Sequence, residues 1–317
     1  MPRALLFVAL AVALILPGPR ASALTIVVDA AGGGDYLTIQ DGIAAASSGD
    51  TVLVRPGTYA GARNRALDFG GTRLRLWAPA GPESTIIDCG FAARGFNFHS
   101  GEDTTAVVRG FAVTRGTASQ GGGIYCAGAS PLIDDCWFVS NSATSGAGVF
   151  LASSPAKLRN CVFRGNTATY GSGASFLSSS ASVRNCTFCR NGGGGGAQGV
   201  LYCVSAPAPS VRRCIIAFST AGPAVTCISG AAPSTSRSIV FGNAGGDAVC
   251  GAAGDNLFTD PLFCGMDAQD VTLCSTSPCL QSNNAWGETV GALGLGCGAC
   301  ASPVQPATWG RIKSLYR

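Results

Sequence analysis

Through the middle of the chain, apolar and polar residues alternate over runs of three to five positions, and Gly, Ser, Asn and Pro separate the runs. A period of two predicts short β-strands whose alternate side chains face opposite ways. The runs also recur. Residues 121–145 (GGGIYCAGASPLIDDCWFVSNSATS), 146–170 (GAGVFLASSPAKLRNCVFRGNTATY) and 171–195 (GSGASFLSSSASVRNCTFCRNGGGG) align without gaps. Cys136, Cys161 and Cys186 fall 25 residues apart, as do Phe138, Phe163 and Phe188, and Asn141, Asn166 and Asn191. Such a unit is too short for a helix hairpin. It predicts one coil of a parallel β-helix, in which each coil buries its inner face only against its neighbours.

The columns then acquire meaning. Cys and Phe, two residues apart, share one side of a strand and are expected inside. The residue three before Cys is also apolar (Ile86, Val107, Ile133, Leu158, Val183, Val211). That odd offset breaks the alternation and places a corner just before the Cys. The Asn column is expected at a turn tolerant of left-handed backbone, with amides bonded from coil to coil. Upstream, Gly110 and Ala112, then Cys89 and Phe91, are aligned with Cys and Phe. Downstream come Cys214 and Ile216, then Ser238, Val240 and Asn243. The inner Cys column reads as packing, because buried Cys behaves as a small hydrophobe.

Ahead of the coils, Tyr36, Ile39, Ile43 and Ala44 outline a short amphipathic helix with Asp35 as its N-cap. It is expected to cover the open end of the stack, whose strand edges would otherwise be bare. Further upstream, Arg3, an apolar run from Ala4 to Leu16, and Ala21-Ser22-Ala23 form a secretory signal cleaved after Ala23. The run is too short to span a bilayer, and no later segment is long and apolar enough to do so. The protein is therefore expected outside the cytoplasm: extracellular, at the cell surface or periplasmic.

The first coil, with GDYLTIQDGI and GDTVLVRPGTY between residues 34 and 59, resembles the first turn of pectin-lyase-like right-handed parallel β-helix proteins, including pectin methylesterases. The later coils resemble polymorphic outer membrane protein repeats, which pair a G-G-A-I type motif with F-x-x-N. Here these are GGGI, GAGV and GSGA at 121, 146 and 171, with FVSN, FRGN and FCRN at 138, 163 and 188. The resemblance implies an all-β fold over roughly residues 25–262, a fold that hosts lyases, hydrolases, esterases and non-catalytic adhesins. It does not carry an activity here. Where pectin methylesterases have D-F-I-F-G-N-A, this chain has Ser238-Ile239-Val240-Phe241-Gly242-Asn243-Ala244, with Ser in place of the catalytic Asp. Gln269-Asp270-Val271-Thr272-Leu273 lies on the wrong side to be their Q-D-T-L element. Arg311-Ile312-Lys313 matches the R-I-K of polygalacturonases without their other elements.

Composition narrows the chemistry. Only 12% of the 317 residues are charged, 45 are Gly, and the formal charge is +4, falling by two when Arg3 and Arg20 leave with the signal. Basic residues are not blocked together, so nucleic acid is an unsuitable partner. A single His, His99, excludes chemistry built on paired histidines. No Asp or Glu occurs between Asp135 and Asp247, which argues against the clustered carboxylates a calcium site needs. No cofactor is expected; calcium stays open, without support from the sequence. The weak catalytic candidates are Asp88, Arg109, Asp134 and Asp135, with Asp88, Arg109 and Asp135 stacked as acid, base, acid. The binding candidates form an outer stripe of Asp134, Arg159, Arg184 and Arg212, with Phe111 and Trp137 pointing outward beside it. Arg forks bind carboxylates, and an exposed Trp stacks on sugar, so a polysaccharide or cell-surface glycan is the expected partner.

Past residue 262 the repeat stops. Cys264, Cys274, Cys279, Cys297 and Cys300 are expected to form two local disulfides of undetermined pairing, in a cap (263–300) closing the far end of the solenoid. Residues 301–317 form a linker and a basic, aromatic tail that resembles the sorting tails of exported β-helix proteins, or else a disordered end. The expected organisation is thus signal 1–23, β-helix 24–262, cap 263–300 and tail. The expected function is a non-catalytic exported binder, with a polysaccharide lyase or hydrolase and a structural envelope component as alternatives.

Overall fold

The computed structural model describes residues 23–193, 198–266 and 270–300. The signal segment up to Ser22, Gln269 and the tail with Arg311-Ile312-Lys313 lie outside the described residues. Successive coils lay their strands into three long parallel sheets. The first has ten strands, among them Leu132–Asp134, Lys157–Arg159, Ser182–Arg184 and Ser210–Arg212. The second has eight, among them Trp137–Val139, Val162–Arg164, Thr187–Cys189 and Ile215–Ala217. The third has seven, among them Ile124–Ala127, Val149–Ala152, Ala174–Leu177 and Leu201–Val204. A three-stranded sheet (Thr117–Gln120, Ser142–Ser145, Thr167–Tyr170) adds a fourth side to the central coils. The result is an all-β, right-handed parallel solenoid of about 25 residues per turn. No helix among the described residues is long and apolar enough to cross a membrane.

The columns stack inside as expected. Phe138, Phe163 and Phe188 are fully buried, with ring centroids 4.9 and 4.5 Å apart. Cys136, Cys161, Cys186 and Cys214 are buried beside them. The corner before each Cys is real: Asp135, Asn160, Asn185 and Arg213 all adopt φ between 50 and 55°. The left-handed residue at the next corner is not the Asn but its predecessor, Ser140, Gly165 or Arg190. The Asn itself is buried and bonds across coils. Asn166 Oδ1 accepts from the Asn141 backbone N–H (3.0 Å) and side-chain amide (3.1 Å), and Asn191 Oδ1 does the same for Asn166. The Asn166 amide donates to the Phe138 carbonyl, and Asn191 to that of Phe163, both at 2.8 Å. Asn243 continues the arrangement, accepting from Ser219 N–H and donating to the Ile216 carbonyl.

The two repeat motifs meet in space. A Cβ on Gly123, Gly148 or Gly173 would lie 2.6 Å from Cδ1 of Phe138, Phe163 or Phe188 respectively. The glycine just before the third-sheet strand is thus the space into which the F-x-x-N ring packs.

In the coil just before residue 121 the register is one residue away from the alignment read in the sequence, and in the coil before that it is four residues away. Arg109, Ala112 and Val113 pair with Asp134, Trp137 and Phe138. Phe111, not Gly110, therefore continues the Cys column, and Val113, not Ala112, the Phe column. One coil earlier these places fall to Thr85 and Ile87, not Cys89 and Phe91. The apolar residue of the first sheet is Val108, preceded by Leu76, rather than Val107 and Ile86. Because side chains alternate, a one-residue slip exchanges inside for outside. Phe111 is therefore fully buried, not exposed as expected. Phe91 lies past the end of the strand Thr85–Asp88, where it is 60% exposed.

At the N-terminal end the helix spans Ile39–Ala45 and buries Ile39, Gly42 and Ile43. Its N-cap is Thr38 rather than Asp35, and the Asp35 carboxylate accepts from Val27 N–H instead (2.7 Å). Tyr36 and Ala44 stay exposed.

The cap also departs from expectation. Phe263–Gly265, Asp270–Cys274 and Leu295–Cys297 form a small mixed sheet. This sheet lies along the outer face of the second long sheet instead of closing the end. There Phe263, Leu273, Cys279 and Val290 pack on Val162, Cys189, Ile215, Ala217 and Ile239. The cause is composition: outward positions here are apolar, so they need a cover. Asn185 Nδ2 donates to the Thr289 carbonyl (3.0 Å), Ala292 N–H to Thr187 Oγ1 (2.9 Å), and Gly291 N–H to the Arg213 carbonyl (2.9 Å).

Cap disulfides join Cys264 to Cys297 and Cys274 to Cys300, leaving Cys279 a buried thiol. A third, unforeseen bridge joins Cys227 to Cys250. Nine thiols remain, all buried. Burial pushes Cys89, Cys189, Cys203 and Cys279 up to about 12, and Cys136 and Cys186 rise for the same reason. Thiolate is the reactive form. Iodoacetamide should therefore add nothing to the native protein and nine groups after denaturation without reductant, read by intact mass. Stepwise native labelling would contradict this packing.

Candidate ligand-binding face

The outer face of the first long sheet is the candidate, and its strand pattern decides what stands there. In each coil the middle residue (Val108, Ile133, Leu158, Val183, Val211) points into the core, so the flanking residues point out. Parallel register then lines up one outer row: Trp77, Arg109, Asp134, Arg159, Arg184, Arg212 and Ser236. The second outer row carries Arg75 and Lys157 among Val, Leu and Ser. Lys157 was not singled out from sequence, although it lies two residues before Arg159 and must share its face.

Charge along the row is uneven. Arg109 Nε lies 3.6 Å from Asp134 Oδ2, and Asn160 donates to Asp134 Oδ1 at 2.8 Å. At the other end Glu288, brought in by the cap, meets Arg212 (3.8 Å), Arg213 (3.1 Å) and Arg237 (3.2 Å). Burial pushes the Glu288 carboxyl up, but the Arg237 hydrogen bond and the three guanidinium charges outweigh it and hold it below its ordinary value. Between these ends, Arg159 and Arg184 are direct register partners, and among the described residues neither meets a carboxylate. Like charges on adjacent strands, about 4.8 Å apart, repel. An anion lying across both guanidinium groups would remove that repulsion and form charge-assisted bonds to each.

The catalytic candidates do not assemble as expected. Arg109, Asp134 and Asp135 share one corner of the first sheet. Asp88 lies on the second sheet, opposite Thr114, where Arg115 Nε donates to it at 2.8 Å. That Arg115 hydrogen bond holds the Asp88 carboxyl below its usual value. The acid–base–acid stack is absent, because Arg109 aligns with Asp134 and not Asp135. Burial raises the Asp135 carboxyl, with Arg109 opposing. Ser238 is fully buried in the Cys column, where its Oγ accepts from Cys214 N–H. His99 Nε2 sits 3.0 Å from Asp68 Oδ2 at the surface. The Cys264, Cys274 and Cys297 sulfurs cluster, but disulfides occupy all three.

Trp137 leaves the stripe. It points outward from the second sheet, half-buried at the edge of the cap. Sequence reasoning also missed an aromatic row on the outer third sheet, where Tyr125 and Phe150 stack at 5.7 Å and Tyr202 lies beyond. The 25-residue spacing of Tyr125 and Phe150 was its available signal.

The family profile described as "Right handed beta helix region" matches residues 38–199 and 95–263. No curated protein sequence matches the chain. Among solved structures, a pectin methylesterase from carrot is similar at 13% identity, covering 79% of this chain and 91% of that one, with a TM-score of 0.42. A likeness of that size carries no activity across.

Proposed function

The chain belongs to the right-handed β-helix family, and from that premise we propose that it is an exported, non-catalytic protein that binds acidic polysaccharide along the outer face of its first long sheet. The observation that carries this reading is the pair Arg159–Arg184, in register and without a carboxylate partner among the described residues. Guanidinium groups take carboxylate or sulfate in a planar fork. Their repeat along the solenoid axis suits a polymer bearing one anionic group per unit. Export is supported by the N-terminal apolar run ahead of Ala23 and by three disulfides, which persist in oxidising compartments.

The test is retention of the mature protein on immobilised polygalacturonate and heparin over a salt gradient. Retention should weaken as salt screens the exposed charges. The double variant Arg159→Ser, Arg184→Ser should elute near the void at salt that holds the parent. Its unfolding free energy should stay within about 0.5 kcal/mol of the parent's, as for ordinary surface changes. Equal retention of parent and variant would sink the stripe. The same polymers should yield no new reducing ends or unsaturated products. Product lost in an Asp134→Asn, Asp135→Asn variant would make the protein an enzyme instead, centred on the carboxyl that burial raises.

A further inference from the structure

Where the cap overhangs the second sheet, the two surfaces do not close completely. They leave a cavity of about 300 Å³ between the strands at Trp137–Val139 and Val162–Arg164 on one side and Asp270–Cys274 on the other. Deeper under the cap, the same sheet face is sealed: Cys189, Ile215 and Ala217 are at most 1% exposed. The opening therefore sits at the seam, one coil toward the N-terminus, where the apolar cover runs out.

Its lining combines two kinds of surface. Trp137, Val139 and Val162 provide an aromatic and aliphatic wall. Glu83, Arg164 and Asp270 provide the charges. Asp270 Oδ1 already accepts from Thr272 N–H (2.9 Å) and Thr272 Oγ1 (2.6 Å), which fixes the carboxylate and leaves Oδ2 without a partner among the described residues. Among the described residues, two carboxylates against one guanidinium give a net negative lining, which disfavours anions. What fits is a neutral ring with one apolar face, and hydroxyls that donate to carboxylate. The volume lies at the lower end of small-molecule sites, about 300–1,000 Å³, which suits a single ring.

We propose that this seam cavity is a binding site for one neutral sugar residue, stacked on Trp137 and hydrogen-bonded by Asp270 and Glu83. It is separate from the Arg159–Arg184 face, which lies on a different sheet, and it takes neutral rather than anionic groups. A glycan chain with a neutral terminal residue would be held here by its end, not along its length.

The full mature protein would be titrated with methyl β-glucoside, methyl β-galactoside, methyl α-mannoside and N-acetylglucosamine, with galacturonate as the charged counterpart. Saturation-transfer NMR and isothermal titration would serve as readouts. At least one neutral ligand should bind, and galacturonate should not. Trp137→Ala should weaken binding about tenfold or more, equivalent to about 1.4 kcal/mol. Asp270→Asn keeps the Thr272 contact geometry and should weaken it severalfold with the cap intact, so a fold defect in the Trp137 variant cannot hide the answer. Arg159→Ser should leave neutral-sugar binding unchanged, which separates this site from the polysaccharide face. The proposal is overturned if no neutral ligand binds, if galacturonate binds as well as the neutral sugars, or if binding survives both the Trp137 and Asp270 changes.

Discussion

Asn166→Ala should lower the stability of the solenoid by at least about 3 kcal/mol, although the substitution removes only a small amide. Asn166 is fully buried and serves two coils at once. Its Oδ1 takes the backbone N–H and the side-chain amide of Asn141, and its own amide satisfies the Phe138 carbonyl. Truncation leaves the Asn141 N–H dry and unpaired, strips the Phe138 carbonyl of its amide donor, and takes one of two partners from the Asn141 amide, which keeps the Val113 carbonyl; each orphan costs about 1–3 kcal/mol. Asn166→Asp separates donor from acceptor: it keeps Oδ1 but places a carboxylate against the Phe138 carbonyl. It should be at least as damaging at neutral pH. Burial and the facing carbonyl raise its folded-state pKa, so the folded form takes up a proton that the unfolded chain releases, and the penalty should shrink as pH falls. Urea midpoints of the parent and both variants at two pH values would decide. An Ala variant within about 0.5 kcal/mol of the parent, the range of surface changes, would mean the ladder is not a structural spine.

The second large effect is expected where glycine and ring meet. Phe163→Ala should cost about 3–5 kcal/mol, the range for emptying a buried aromatic site. It also breaks both stacking contacts, to Phe138 and Phe188. Gly148→Ala should cost about 1–3 kcal/mol by overpacking. Its Cβ would stand 2.6 Å from Phe163 Cδ1 and 2.4 Å from the Gly173 carbonyl oxygen. The double variant relieves the first clash and not the second. Its cost should therefore fall short of the sum of the singles by at least about 0.5 kcal/mol. Strict additivity in a double-mutant cycle would show that the motifs recur together for some reason other than contact.

These two columns were also the most legible part of the sequence, for a physical reason. A ladder that bonds like to like across coils, or stacks ring on ring, requires the same residue at the same step, and recurrence at 25 residues displays it. Where the column changes residue type, that signal fails. The stretch at Val108–Val113 offers Arg-Gly-Phe-Ala in place of Asp-Asp-Cys-Trp, and alignment by apolarity alone slipped by one. That slip moved Phe111 outside and aligned Arg109 with Asp135. The charged stripe was readable because three of its four Arg and Asp members sit in gapless repeats. Its counter-charge was not, since Glu288 reaches Arg212 only when the cap folds back along the side. The cap's place was illegible for a related reason. The spacing of five cysteines allows several pairings, and the apolar outer residues that attract the cap look like core positions when no register is known.

The way the cap attaches changes the mechanics of the chain. A solenoid whose coils touch only their neighbours can come apart from either end, one coil at a time, like a stack of plates. Here the hydrogen bonds of Asn185 to Thr289 and Ala292 to Thr187 join positions 104 and 105 residues apart. They clasp the last coils into a closed loop. Coils beyond residue 187 are no longer free to peel away singly from the C-terminal side, because the loop must open first. The clasp gives the stack a polarity: a tail end that yields as one block, and a head end held by its short helix and the neighbouring coil.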